Sequence, residues 1–129
     1  AAFTPTFKAQ QGGHIVNIAS IAGIISLDKF ANYNASKAAV IALSETLRIE
    51  LGKKNIGVTV VCPSLFKTKL PDSMVNPREG QHEKVSQAMA RSSLSADDIA
   101  RKVVNAVRKN QFYLFVLLRY QDRYALLNL

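Results

Sequence analysis

A chain of 129 residues can bury one sizeable core and is too short for two. Its 48% hydrophobic and 20% charged content exclude wholesale disorder, and no apolar run reaches the roughly 18 residues that span a bilayer. The net charge of +8 raises nucleic-acid binding, but the 17 basic residues are scattered along the chain, so no nucleic-acid partner is expected.

Residues 1–11 read as the end of a helix, with no signal-peptide pattern. Gly12-Gly13 break the chain before residues 14–19, a short β-branched run expected of a strand buried on both faces. Ser20 ends that strand, and a loop with Gly23 follows. Over residues 33–51, Ala39, Val40, Leu43, Leu47 and Ile49 recur at helical spacing, and Gly52 is the expected stop. Residues 56–62 read as a second buried strand closed by Pro63, which makes a βαβ unit with a right-handed crossover. Cys62 lies in that strand as a small buried hydrophobe, and a single cysteine fits a reducing, cytoplasmic setting. Residues 64–94, punctuated by Pro71, Pro77 and Gly80, have the weak periodicity of a functional loop with short helices. Ser95-Ala96-Asp97-Asp98 has the form of a capping box, with Leu94 stapled on Ile99. Ile99, Val103, Val104 and Val107 then share a helix face, Asn110 is a left-handed stop, and residues 112–117 make a third strand. Residues 119–129 are ambiguous.

This order argues an open parallel α/β sheet, in which ligands bind beyond the carboxyl ends of the strands. Ser20 and residues 63–68 follow two such ends. Tyr33 and Lys37 stand one turn apart on one helix face. An ammonium about 5 Å from a phenol favours the phenolate by about 3 kcal/mol at an effective dielectric of about 20, enough to lower a tyrosine's pKa by about two units in a sheltered crevice. Such a tyrosine can exchange a proton with a substrate oxygen, and the Ser20 hydroxyl can hold that oxygen. Taken alone, the pair reads as an amphipathic helix with a surface lysine. His14 and His82 lack ligand-like spacing with Cys or acidic residues and read as structural or surface groups, so no metal is expected.

The context around the pair is more specific. Residues 13–23 (GHIVNIASIAG), Tyr33-Asn-Ala-Ser-Lys37 and residues 63–68 (PSLFKT) stand in the order, and with the 13-residue separation of Ser20 and Tyr33, that resembles the short-chain dehydrogenase/reductase family. The resemblance is strong over residues 10–70 and continues more weakly to about residue 117. It implies an α/β fold that is the C-terminal half of a Rossmann-like doubly wound parallel sheet, forming one partial domain. Residues 1–63 would carry the core, 64–95 the substrate and cofactor loop, and 96–129 the last helix and strand.

The resemblance also implies an NAD(P)-dependent oxidoreductase that moves a hydride between nicotinamide and a carbonyl or secondary alcohol. Ser20 matches the serine that polarises the substrate oxygen, Tyr33 the acid/base, and Lys37 the lysine that tunes the tyrosine and holds the nicotinamide ribose. Pro63, Phe66 and Thr68 match the loop that contacts the nicotinamide carboxamide, with NAD or NADP as cofactor. Residues 70–94 match the segment that closes over substrate, and the 33–51 helix matches the one that pairs family members into homo-oligomers. Two substitutions depart from the pattern: Ser64 stands where the family usually has Gly, and Phe66 replaces a Val or Ile. The family's glycine-rich turn and active-site asparagine have no counterpart in these residues. Asn17 reads instead as a strand residue bonding backbone, and Asn32 as a residue just ahead of the helix. The 129 residues by themselves are therefore expected to bind the cofactor poorly and to turn over no substrate. The alternative is a non-catalytic homologue or an inactive fragment that acts only through protein–protein contacts.

Overall fold

The computed structural model describes residues 3–75 and 77–117. The elements are α1 (Thr4–Ala9), β1 (Gly13–Ile18), a 3₁₀ turn (Ile21–Gly23), α2 (Ala31–Gly52), β2 (Ile56–Pro63), a second 3₁₀ turn (Leu70–Ser73), α3 (Gln81–Ala90), α4 (Ala96–Arg108) and β3 (Tyr113–Val116). The ambiguous residues 119–129 lie outside the described ones.

The three strands form a parallel sheet in the order β1-β2-β3, with Ile15 opposite Val58 and Val61 opposite Leu114. Alternation along β2 sorts its side chains onto two faces. Val58, Val60 and Cys62 pack under Ile41, Val40 and Leu47 of α2. Val61 packs with Leu114 and Val116 of β3 under Ile99, Val103 and Ala106 of α4. β2 is buried along nearly its whole length because both faces are covered. The Cys62 thiol lies inside it, and burial pushes its pKa up.

Two helices on opposite faces, with strands added in one direction, give the two crossovers opposite hands. One crossover therefore departs from the right-handed rule. The long β2–β3 connection makes this possible, since it can carry the chain around the sheet end before α4 docks. Backbone and side chain close the neck of that connection: Lys67 N–H donates to the Leu94 carbonyl at 3.0 Å, and the Ser92 hydroxyl to the Leu65 carbonyl at 3.0 Å.

Several local expectations are corrected. β1 is half-buried on the α2 face and open on the other: Ile18 is 52% exposed on the side that α4 does not reach. α2 ends at Gly52 as expected, but Gly52 is not the left-handed residue of the turn: Lys53 caps the helix, and Asn55 takes φ 55°, a conformation that asparagine tolerates. On α4, Val104 faces solvent and the small Ala106 enters the core instead. The capping box at Ser95 and Asp98 is present, and Asn110 takes the left-handed conformation at φ 49°. Hydrogen bonds from Ser95 and Arg101 draw the Asp98 carboxyl down to about 2.

Candidate active site

Ser20 follows the end of β1 while Tyr33 and Lys37 stand on α2, and buried contacts lock these elements together. The Ser44 hydroxyl, fully buried on α2, donates to the Val40 carbonyl at 2.7 Å and accepts from the Asn17 amide of β1 at 2.9 Å. Asn17 thus bonds a side chain of the facing helix, which corrects the expectation of a backbone contact. Closer to the strand ends, the 3₁₀ turn lies directly on α2. A Cβ on Gly23 would sit 2.7 Å from the Lys37 carbonyl carbon and 2.9 Å from the Ala38 nitrogen, so only glycine permits this approach. The Asn34 amide holds the Leu27 carbonyl at 2.9 Å and ties the intervening loop to the start of the helix. Lys29 in that loop adopts a left-handed φ of 64°.

Ser20 is buried and extended at the start of the 3₁₀ turn, and its oxygen accepts from the Ala22 N–H at 3.1 Å. That bond fixes the oxygen and leaves the hydroxyl proton free to donate. Lys37 reaches from α2 to the end of β1, with Nζ 3.3 Å from the Ile18 carbonyl and 5.6 Å from the Tyr33 ring centre. Among the described residues the Tyr33 hydroxyl has no hydrogen-bond partner.

All three residues line one cleft of about 720 Å³ beyond the carboxyl ends of the strands. Pro63, Phe66 and Thr68 line the same cleft, and Phe66 also packs against the core on the α4 side. The cleft therefore brings together Ser20, Tyr33, Lys37, Pro63, Phe66 and Thr68. Asn32 lines it too, from the first turn of α2 rather than from ahead of the helix.

The cleft contains features that the sequence pattern did not disclose. Its far wall is apolar: Leu70, Met74 and Val75 come from the loop, Met89 from α3, and Leu27 and Phe30 from the segment before α2. Three cations, Lys29, Lys37 and Arg78, line it without a carboxylate. Asp28 pairs with Lys29 from outside at 3.4 Å. A positive, low-dielectric crevice concentrates an anionic ligand. The alternation of apolar residues with Pro, Lys and Arg along the loop hid its apolar wall, because no single period describes an irregular segment.

The histidines take structural places. His14 shares a hydrogen bond with Thr59 at 2.8 Å, and burial lowers its pKa; His82 is exposed. Among the described residues, no group of three or more His, Cys, Asp and Glu side chains could hold a metal ion, and no helix is long and apolar enough to cross a membrane.

Comparison with known proteins agrees with the geometry. A family model described as short chain dehydrogenase matches residues 1–79. The chain is 34% identical over 118 residues to epidermal retinol dehydrogenase 2 of Mus musculus, covering 89% of this chain and 35% of that protein. It is 32% identical over 108 residues to the probable oxidoreductase EphD of Mycobacterium tuberculosis, covering 78% of this chain and 18% of that protein. A crystal structure of a short chain dehydrogenase/reductase from Burkholderia phymatum in complex with NAD superposes with a TM-score of 0.79 at 30% identity, over 88% of this chain and 46% of that one. The chain thus spans from under a fifth to about a third of the length of these two curated relatives.

Proposed function

The chain belongs to the short-chain dehydrogenase family, and on that premise we propose that it supplies the proton-transfer and substrate-binding half of a nicotinamide-dependent oxidoreductase acting on carbonyl compounds or secondary alcohols. The observation that carries this reading is the convergence of Ser20, Tyr33 and Lys37 on one cleft at the strand ends. When bound, the nicotinamide cofactor, NAD or NADP, exchanges a hydride with the substrate carbon.

The chain's own residues handle the oxygen. Ser20, its oxygen held by Ala22, donates its hydroxyl proton to the substrate oxygen and orients it. Tyr33 delivers a proton to that oxygen during reduction and removes it during oxidation. Lys37 stands with its ammonium 5.6 Å from the Tyr33 ring centre, a positive charge next to the proton-transfer group. The Lys37 ammonium has one acceptor here, the Ile18 carbonyl, which leaves two N–H donors that would hold ribose hydroxyls of the cofactor.

Lys37 and residues 63–68 suit the nicotinamide end of the cofactor. The cleft's cations, with no carboxylate among its lining residues, suit its negative charge. Gly23 and Gly80, the glycines of the described strand-to-helix connections, stand singly and form no glycine-rich turn that cradles a pyrophosphate, so the 129 residues by themselves should hold the cofactor weakly. The apolar wall from Leu70, Met74 and Met89 favours a substrate with a largely apolar body, in keeping with the retinol named for the mouse relative. Pairing of two copies through α2 fits the exposed Leu43 and Ile49 on that helix.

Tyr33→Phe in the full-length protein tests the assignment. Activity should fall by roughly 10²- to 10⁴-fold with an unchanged melting temperature, since the hydroxyl holds no structural contact. Retained turnover would remove Tyr33 from the proton-transfer role.

A further inference from the structure

The buried serines among the described residues divide into two groups. Ser44 and Ser92 are satisfied in both directions: Ser44 donates to Val40 and accepts from Asn17, while Ser92 donates to Leu65 and accepts from the Leu94 N–H. Ser20 and Ser64 are not, and these two line the cleft. Ser20 retains a free proton. Ser64 has more: its residue is only 9% exposed, and its oxygen is buried with no hydrogen-bond partner. Asn34 Oδ1 is the other such buried side-chain atom among the described residues, and Asn34 does not line the cleft.

The position of Ser64 is fixed by its backbone. Its N–H donates to the Val116 carbonyl at 2.8 Å, which extends the β2–β3 ladder by one step. The alternation of β2 directs residue 64 toward the face shared with Val60 and Cys62, which α2 covers. A hydroxyl taken out of water without a partner destabilises the fold that holds it. Alanine would fill nearly the same space without that penalty. The hydroxyl therefore has no stabilising role in the unliganded fold.

We propose that Ser64 is a ligand-binding residue. Its hydroxyl, turned by one staggered step about χ1, donates a hydrogen bond to a carbonyl oxygen of the molecule in the cleft, other than the oxygen served by Ser20 and Tyr33. The identity of that molecule rests on the dehydrogenase reading. The carbonyl belongs either to the nicotinamide carboxamide or to a second carbonyl of the substrate, and the two sources are separable.

The test compares wild type with Ser64→Ala and Ser64→Cys in the full-length protein. It uses thermal unfolding without ligand, titration with NADH and NADPH, and steady-state kinetics. Without ligand, Ser64→Ala should melt at the same temperature or higher. With ligand, it should weaken one binding constant about five- to ten-fold, the worth of one hydrogen bond. A loss in nucleotide affinity assigns the contact to the carboxamide, and a loss confined to the substrate KM assigns it to the substrate. Ser64→Cys, with similar volume and a weaker donor, should show most of the same loss. A lower melting temperature for Ser64→Ala would reveal a protein partner and overturn the proposal, as would unchanged constants for both ligands. Unfolding and nucleotide titration need no turnover, so a protein that binds nucleotide without reacting contradicts the dehydrogenase reading alone.

Discussion

The two ends of the parallel sheet are built on opposite rules. At the amino end, polar groups close on one another. His14 donates to Thr59, Thr59 donates to the Gln111 carbonyl at 2.7 Å, and the Gln111 amide turns back to the Tyr113 carbonyl at 2.7 Å. The Asn55 amide bonds the Gln11 carbonyl at 3.1 Å, and Gln11, Asn55 and Asn110 make the left-handed turns there. At the carboxyl end, Ser20, Tyr33 and Ser64 keep hydrogen-bonding capacity in hand, and apolar side chains such as Val75 stand 86% exposed beside the cleft. One end uses its polar groups to hold the fold, and the other leaves hydrogen-bonding capacity without a protein partner. The lesson is that stability and reactivity can be changed separately in this chain.

The strongest way to break that comparison is Thr59→Val. The substitution keeps the shape of a fully buried residue but strands the His14 N–H and the Gln111 carbonyl, for a loss of about 2–4 kcal/mol in unfolding free energy. Denaturant titration measures it, and kcat/KM of the folded fraction should not move. A kinetic change would show that the closed end communicates with the cleft.

Ser92→Ala should have a smaller effect, about 1–2 kcal/mol, because it unpairs the Leu65 carbonyl at the loop neck. Here substrate KM should rise along with the loss of stability, since the neck carries the apolar wall. An unchanged KM would mean that the wall is positioned by other contacts.

The smallest effect is a pH dependence. The folded His14 has a pKa below its ordinary value of 6.5, so the unfolded chain takes up the proton first. Its contribution to stability is complete above that value and is lost as the pH falls through the folded one. Melting temperature should therefore decline on acidification below about 6.5, and His14→Gln should flatten that part of the profile. A profile identical to wild type would remove His14 as the titrating group.

How far the sequence could be read followed from how local each cause is. The strands, α2, the Ser95 cap and the Asn110 stop depend on short-range pattern and backbone preference, and the structure places them within a few residues of expectation. The shared placement of Ser20, Tyr33 and Lys37 on one cleft was legible because their spacing is local to a strand end and a helix turn. Long-range contacts hid the rest. The Asn17–Ser44 tether joins residues 27 positions apart, and no local pattern around either one reports the other. Gly23 marked a loop without showing that it rests on the backbone at Lys37. The one-sided burial of β1 depends on which strands α4 covers, and no periodicity within β1 reports that.

The closed neck of the β2–β3 connection bears on how such a protein diversifies. Residues 65 and 67 are clasped to 92 and 94 just past two neighbouring strands, so the intervening span leaves the scaffold and rejoins it at almost the same spot. Sequence exchanged within it need not disturb strand pairing or the placement of Ser20, Tyr33 and Lys37. A new lining for the cleft can be fitted as an interchangeable cassette, which makes this span the natural place for altered substrate preference to evolve.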